Sequence, residues 1–407
     1  MSSLLEKLSK GIEMIVPADG LAEKLKEAET EKRPLVIKHG MDPTAPDLHL
    51  GHAVVLKKIR EFQEAGHEIH LIVGDFTAQI GDPTGRNTTR PPLTAEEVKI
   101  NAQTYIEQLH KVVGKERLTI HFNNDWLGKM TFTDVIKLLG RATLAQMMQR
   151  EDFNNRYTNN IPIALHELVY PIVQGYDSVE INSDIEFGGR DQLFNCLVGK
   201  SLQESFGKKN GQVVLCMPLL RGLDGVMKMS KSKNNYIGLT EPANDMYGKT
   251  MSIPDNLLEE WIQLTTDFDE ETKVNMIADL KNGKTNPMDI KKKVAFNIVK
   301  QYHDEKAAQE AENFFYKQVQ QKGFDSKTFE PVCIQSLSIG SDGTPKLLDV
   351  CFALNPKESK SALRRLIESG AVCINGDKVT DCNQSCCLVP GTKIKMGKRH
   401  FFELTKK

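Results

Sequence analysis

The sequence predicts an α/β fold built on a doubly wound parallel sheet, followed by an all-α domain and a small α+β domain. Three observations carry that prediction: a strand–helix–strand run near the amino terminus, a helical tract after about residue 238, and a short mixed segment at the carboxyl end. Pro34–Ile37 (PLVI) is an apolar run that ends in a Gly/Pro-rich turn at Gly40, Pro43 and Pro46. A helical pattern follows from about His49 to Ala65, and Gly66 sits where a helix-ending glycine belongs. His70–Val73 is a second strand-like run. Strand, helix and strand in about 40 residues make a βαβ unit, which implies a parallel sheet.

Gln212–Met217 reads as a late strand stopped by Pro218. Between the strands, Ala95–Val113 and Thr133–Arg150 read as helices. The second carries Val135, Ile136, Leu138, Leu139, Leu144, Met147 and Met148, a stripe that fits a core face or a subunit contact. After Gly238 the pattern stays helical for about 90 residues, and Asn286-Pro287 opens one helix as cap and first-turn proline. The polar stretch Gln320–Thr344, with Gly323, Gly340 and Gly343, reads as a linker. Beyond it come a helix at Ser359–Ser369 and a strand–turn–strand around Asn375-Gly376. The predicted domains are 1–238, with an inserted helical segment at about 95–165 and a mobile loop at 222–235, then 239–335, then 345–407.

A chain of 407 residues is too long for one ordinary core. Its 40% apolar and 26% charged residues are those of a globular protein, and a net charge of -1 gives no global attraction to a polyanion. The charge is uneven, however. Residues 345–407 hold twelve Lys and Arg against six Asp and Glu, a basic module suited to local contact with a polyanion. Eight cysteines show no zinc spacing, so reduced thiols and a cytoplasmic location are expected, with no structural metal. No apolar run approaches the ~20 residues of a membrane span. The segment MSSLLEKLSKGIEMIV reads as an amphipathic helix, not a signal peptide.

Two motifs carry phosphate chemistry. In PTAPDLHLGH, His49 and His52 lie three apart at the start of a helix and share a face. Free N–H groups and the helix dipole favour anions there, and two imidazoles add directional donors. Gly51 between them leaves room for a ligand against the helix. The second motif is Lys228-Met229-Ser230-Lys231-Ser232, a basic loop flanked by Gly222 and Gly225. Such a loop can close over a triphosphate and offset developing charge.

Together these two elements resemble the double signature of the class I aminoacyl-tRNA synthetases, with a Rossmann-like catalytic domain. The resemblance implies ATP as substrate, carrying its own Mg2+. It assigns His49, His52, Lys228, Lys231 and Ser232 to catalysis. It puts Asp42, Thr44, His49, Gly51, His52, Arg86, Arg90, Gly189, Asp191 and Lys231 on ATP. A carboxylate is already the nucleophile, so catalysis would be positioning and electrostatics.

The middle of the chain speaks to the amino acid. Tyr170, Gln174 and Asp177 fall about one helical turn apart on one face, and the segment EFGGRDQLFN follows. This resembles the bacterial branch of the tyrosyl-tRNA synthetases. The resemblance implies that Thr77, Asp82, Tyr170, Gln174, Asp177 and Gln192 hold L-tyrosine, with Asp177 accepting the phenolic hydroxyl. Many members carry a tyrosine on the first strand where this chain has Lys38, so recognition of the hydroxyl is expected to lean on Asp177. Two alternatives stay open: a tryptophanyl-tRNA synthetase, and a synthetase-like RNA-binding protein without catalysis. The expected partners are tRNA(Tyr), tyrosine and ATP, with a homodimer formed through the 133–150 region. Lys291 and Lys292 in the helical region, and Lys360, Arg364 and Arg365 in the tail, are the expected RNA contacts. The tail resembles a small RNA-binding fold shared with a ribosomal protein.

Overall fold

The computed structural model describes residues 2–44, 46–84, 94–317, 329–337, 345–356, 358–386, 388–397 and 400–406. The chain divides into two compact units, Met1–Ala308 and Gln309–Lys407. The first is built on strands β1 (Met14–Val16), β2 (Val36–Met41), β3 (Glu68–Val73), β4 (Leu118–Phe122), β5 (Ile185–Gly189) and β6 (Val213–Met217). Their order is β1-β6-β5-β2-β3-β4. All neighbours are parallel except β1, which runs antiparallel to β6 at the edge. The chain builds outward from β2 through β3 to β4, then returns to the other side of β2 for β5 and β6. That reversal is the doubly wound topology predicted from the first βαβ unit.

Parallel strands covered on both faces should be apolar throughout. All five residues of β6 are buried, as are Ile37, Ile69 and Ile185 in the three central strands. Lys38 breaks the rule in the middle of β2. Its side chain is 0% exposed and pairs with Glu186 of β5, itself 1% exposed, at 2.8 Å. The other two ammonium protons go to Ser178 Oγ at 2.7 Å and the Gln174 carbonyl at 3.0 Å. Gln212 and Ser178 donate to the far oxygen of Glu186. All three lysine donors therefore have acceptors, which makes a charge tolerable at this depth.

Several sequence-derived boundaries change. The helix expected over Thr133–Arg150 is two short helices, Phe132–Leu139 and Leu144–Met147, followed by Glu151–Thr158. Gly140 ends the first, and Thr143 opens the next by accepting from Gln146 N. The stripe is correspondingly divided: Leu138 and Met147 are buried, whereas Ile136 and Leu144 are exposed. Helices Ala243–Met251, Leu258–Thr265, Glu270–Lys281 and Pro287–Tyr302 realise the expected helical tract. Asn286 caps the last by accepting from Met288 N at 2.9 Å.

This tract is not a compact unit of its own beginning at Gly238. Lys57 donates to the Thr265 carbonyl at 2.6 Å, Lys111 to the Tyr302 carbonyl at 2.9 Å, and Arg221 pairs with Glu260 at 2.7 Å. These ties join it to the sheet domain.

The second unit has strands β7 (Glu330–Cys333), β8 (Val372–Ile374), β9 (Asp377–Val379), β10 (Lys393–Met396) and β11 (His400–Thr405), ordered β7-β11-β10-β8-β9. Part of the expected linker is thus structured: β7 pairs in parallel with β11 along the edge, where Pro331 costs no ladder bond. Most of Gln320–Thr344 lies outside the described residues. Asn375 and Gly376 have φ of 50° and 99°, the positive pair that a two-residue hairpin turn requires. Leu347, Val350, Leu363, Ile367, Ile394 and Leu404 form the core with Cys351, Cys382 and Cys386.

The Lys38–Glu186 pair is testable by cycle. Glu186→Ala should destabilise the fold by about 3–5 kcal/mol, because it leaves a buried charge without its partner. Lys38→Met with Glu186→Leu should cost much less. Urea unfolding of both variants checks this, and a double variant as unstable as the single would refute it.

Candidate active site

The carboxyl ends of β2 and β5 diverge at the reversal in strand order, which is where open α/β sheets bind ligands. A cleft of about 980 Å³ opens there. Every described residue expected to touch ATP or tyrosine lines it: Asp42, Thr44, His49, Gly51, His52, Thr77, Asp82, Tyr170, Gln174, Asp177, Gly189, Asp191, Gln192, Lys228, Lys231 and Ser232. Arg86 and Arg90 lie outside the described residues.

At one side stands the start of helix Leu50–Glu64, with His49 as its cap. His52 Nδ1 accepts from His49 N at 3.2 Å, so the proton of neutral His52 sits on Nε2. The two rings lie 3.9 Å apart, centroid to centroid. Burial pushes His49 down to about 3, helped by Lys231 and Lys228, and holds His52 well below the ordinary range. Both imidazoles are therefore neutral dipolar donors, and the cations come from the lysines. His49 Nδ1 is buried without a hydrogen-bond partner among the described residues. Gly51 is more crowded than its sequence position suggested: an added Cβ would come 3.0 Å from the His49 ring.

The loop after β6 supplies the lysines. Lys228 pairs with Asp191, so two residues expected to meet different parts of ATP meet each other. Lys231 donates to Tyr105 Oη at 3.2 Å and lies over its ring. Ser230 N donates to Asn235 Oδ1 at 2.8 Å, and Asn235 Nδ2 donates to Asp224 Oδ2 at 2.6 Å, which fixes the base of the loop.

The other side is narrower and more buried. Tyr170 Oη and Thr77 Oγ1 donate to the two oxygens of Asp42 at 2.8 and 2.7 Å. Asp42, expected on the ATP side, is thus held by residues expected to bind the amino acid. Gly74 permits this approach, since a Cβ there would fall 2.1 Å from Asp42 Oδ1. Gln192 donates to Asp82 Oδ2 at 2.8 Å and accepts from Asn195 at 2.9 Å. Arg150 extends the network to Asn195 and Thr84.

At the cleft floor Asp177 is 2% exposed. Trp126 Nε1 donates to Oδ1 at 2.9 Å and Asn123 Nδ2 to Oδ2 at 3.3 Å. Burial pushes this carboxyl up to about 7, against the pull of Lys38 and these two donors. Trp126, Asn123, Tyr105 and Arg150 were not legible as site residues. Position after β4 is the signal that could have marked Asn123, which also accepts from Phe76 N at 2.9 Å. Lys38 does not line the cleft, since it is committed to Glu186. Its neighbour His39 does, with Nδ1 donating to the Phe187 carbonyl at 2.9 Å.

The expected RNA contacts fare unevenly. Lys291 turns inward, 8% exposed, and pairs with Asp255 at 2.6 Å, so it is not part of a free basic face. Lys292 is half-buried, 3.8 Å from Asp289. Lys360, Arg364 and Arg365 are exposed on helix Lys360–Glu368, although Lys360 pairs with Asp349 at 2.8 Å.

Known proteins resemble this chain in sequence and in fold. Residues 30–320 match the family model described as tRNA synthetases class I (W and Y), and residues 346–387 match the S4 domain. The chain is 52% identical over 404 residues to tyrosine–tRNA ligase 2 of Photorhabdus laumondii, covering 99% of this chain and 100% of that one. It is 43% identical over 400 residues to the tyrosine–tRNA ligase of Aquifex aeolicus, covering 98% of each. The tyrosyl-tRNA synthetase of Archaeoglobus fulgidus, solved with L-tyrosine, shares the fold at a TM-score of 0.62 and 21% identity, covering 76% of this chain and 99% of that one. From its cleft, its sheet and its full-length relatives, the chain belongs to the class I aminoacyl-tRNA synthetases and, within them, to the bacterial tyrosine–tRNA ligases.

Proposed function

We propose that the buried Asp177 carboxylate reads the phenolic hydroxyl of tyrosine while the helix start at His49 and the loop at Lys228–Ser232 handle ATP. The activity is tyrosine–tRNA ligation. The tyrosine carboxylate attacks the α-phosphorus of ATP, the bond to the β-phosphate oxygen breaks, and pyrophosphate leaves with the electron pair. The tyrosyl group then passes from AMP to the 3′ end of tRNA(Tyr). The observation that carries the reading is Asp177 at the cleft floor, oriented by Trp126 and Asn123.

No residue need remove a proton in the first step. Asp42, Tyr170, Thr77 and Asp82 form a polar, acidic rim suited to the substrate ammonium. Neutral His49 and His52 donate to phosphate oxygens. Lys228 and Lys231 balance the charge that grows on the leaving pyrophosphate. Lys228 must first release Asp191, which is then free for the ribose hydroxyls. Mg2+ enters with ATP as part of that substrate.

Phenylalanine leaves the desolvated Asp177 carboxylate with only its donors Trp126 and Asn123 and without the phenolic one, which is the physical basis for its rejection. ATP–pyrophosphate exchange with each of the twenty amino acids tests the assignment. Exchange should be driven by tyrosine, and exchange driven by tryptophan or by none would overturn it. Asp177→Ala should lower kcat/KM for tyrosine roughly ten- to a hundredfold, the cost of one charged buried hydrogen bond, with a smaller loss for phenylalanine. Equal losses would refute the role.

We also assign the exposed apolar surface of Phe132, Leu144, Tyr157 and Leu165, between 65% and 81% exposed, to a homodimer contact. Phe132→Asp with Leu165→Asp should convert the dimer to monomer in sedimentation velocity; an unchanged sedimentation coefficient would refute it. Arg364 and Arg365 are proposed to contact tRNA phosphates. Arg364→Ala with Arg365→Ala should leave exchange intact and reduce the salt dependence of tRNA binding by about two in slope. An unaltered slope would remove the arginines from the interface.

A further inference from the structure

Two histidines outside the cleft stand behind a residue that holds Asp177. His70 lies in β3 and His121 in β4. Both are partly buried, where a lone imidazole would leave polar atoms short of partners. Each supplies the other: His121 Nε2 and His70 Nδ1 share one proton at 3.0 Å, with the ring planes 25° apart. Burial holds both below the ordinary histidine range, so both rings are neutral, and one donates while the other accepts.

Glu68 decides which. Its carboxylate lies 3.9 Å from His70 Nε2, too far for a direct hydrogen bond but close enough to favour a proton on that nitrogen. His70 Nδ1 is then the acceptor and His121 Nε2 the donor. A flip of either ring breaks the bond, so each histidine fixes the other.

The consequence falls on Trp126. β4 closes one edge of the sheet, so the turn that follows it is braced from within. Phe76 N donates to Asn123 Oδ1 and Asn124 N to Asp75 Oδ1, both at 2.9 Å. Those bonds fix Asn123 and the backbone of the turn, and leave the plane of the indole to its packing. The His121 ring lies beside the indole, 5.9 Å between centroids, and Trp126 Nε1 donates to Asp177 Oδ1 at 2.9 Å. The order is therefore Glu68, His70, His121, Trp126, Asp177.

We propose that His121, locked by His70, is a positioning residue for tyrosine recognition: it sets the Trp126 indole so that Nε1–H meets Asp177. The proposal rests on the reading of Asp177 given above. Neither histidine lines the cleft, so both act through Trp126. A contact residue holds its geometry only as well as the layer behind it is locked. The effect belongs to the tyrosine side and spares ATP.

The chain has two tryptophans, so its indole N–H groups give two proton resonances, and Trp126→Phe identifies one of them. His121→Ala should speed solvent exchange of the Trp126 proton about tenfold, the protection lost with one hydrogen bond, and leave that of Trp261 unchanged. In ATP–pyrophosphate exchange it should raise KM for tyrosine about tenfold and leave KM for ATP unchanged. His70→Leu fills similar space but removes the acceptor, and should move both readouts the same way even where His121→Ala does not fold. His121→Gln, whose amide can donate to His70 Nδ1, and His70→Asn, whose amide oxygen can accept, should restore most of both. An indole proton or a tyrosine KM unmoved by His121→Ala and His70→Leu, or equal rises in KM for tyrosine and ATP, would overturn the proposal. Asp177→Ala keeps the two readings apart. If it spares discrimination against phenylalanine while the histidine variants free the indole, the role of Asp177 falls and the positioning of Trp126 stands. An indole that stays fixed in the histidine variants overturns the positioning whatever Asp177 does.

Discussion

Strands β2 and β5 meet at the reversal of the sheet, and the ion pair between Lys38 and Glu186 ties them together across it. Much of the cleft depends on that junction. Asp42 and His49 follow β2, and Gly189, Asp191 and Gln192 end or follow β5. Lys38 also donates to Ser178 and to the Gln174 carbonyl, which docks helix Leu165–Glu180 and with it Tyr170 and Asp177. A single buried ammonium thus sets the distance among three elements that each line the cleft. Apolar residues could fill the same space with similar stability, but they would not impose three directional bonds.

The cleft separates two electrostatic tasks. On the side we propose for phosphate, the buried imidazoles are neutral and directional, and the loop lysines bring the charge. On the side we propose for the amino acid, carboxylates held by tyrosine, threonine and glutamine make a negative rim, and one carboxylate stands apart in a drier place. Asp177 is costly to ionise there, which burial expresses by pushing it up to about 7. A phenol that donates to it relieves that cost, whereas a bare ring does not. Lys228 rests on Asp191 and Lys231 on Tyr105, so the loop is docked against the wall of the cleft.

Much of this was legible in the sequence because the chemistry is local. His49 and His52 share a helix start, Tyr170, Gln174 and Asp177 share a helix face, and Lys228 to Ser232 share a loop. Elements with strong local punctuation were also placed well, as with Asn286-Pro287 and the Asn375-Gly376 turn. The misplacements have one cause, which is long-range pairing. Lys38 stood where a tyrosine is expected, with nothing nearby to say what it would meet, and its partner is 148 residues away in β5. Lys291 looked like part of a basic face until Asp255 turned it inward. Periodicity ran Thr133–Arg150 together, although Gly140 and the Thr143 cap divide it. A polar, glycine-containing stretch read as linker, yet β7 within it pairs with β11 some 70 residues on.

By itself, then, the sequence determined the parallel sheet, the helix start with its two histidines, the basic loop and the family, because periodicity, turn chemistry and motif spacing are properties of neighbours along the chain. Tertiary structure alone decided which carboxylates face each other, which lysines are spent internally, and what orients Asp177. Those outcomes depend on burial and on partners brought close only by folding. Trp126 and Asn123 illustrate the point: nothing near them in sequence announces that they hold Asp177, the carboxyl we propose for the tyrosine hydroxyl.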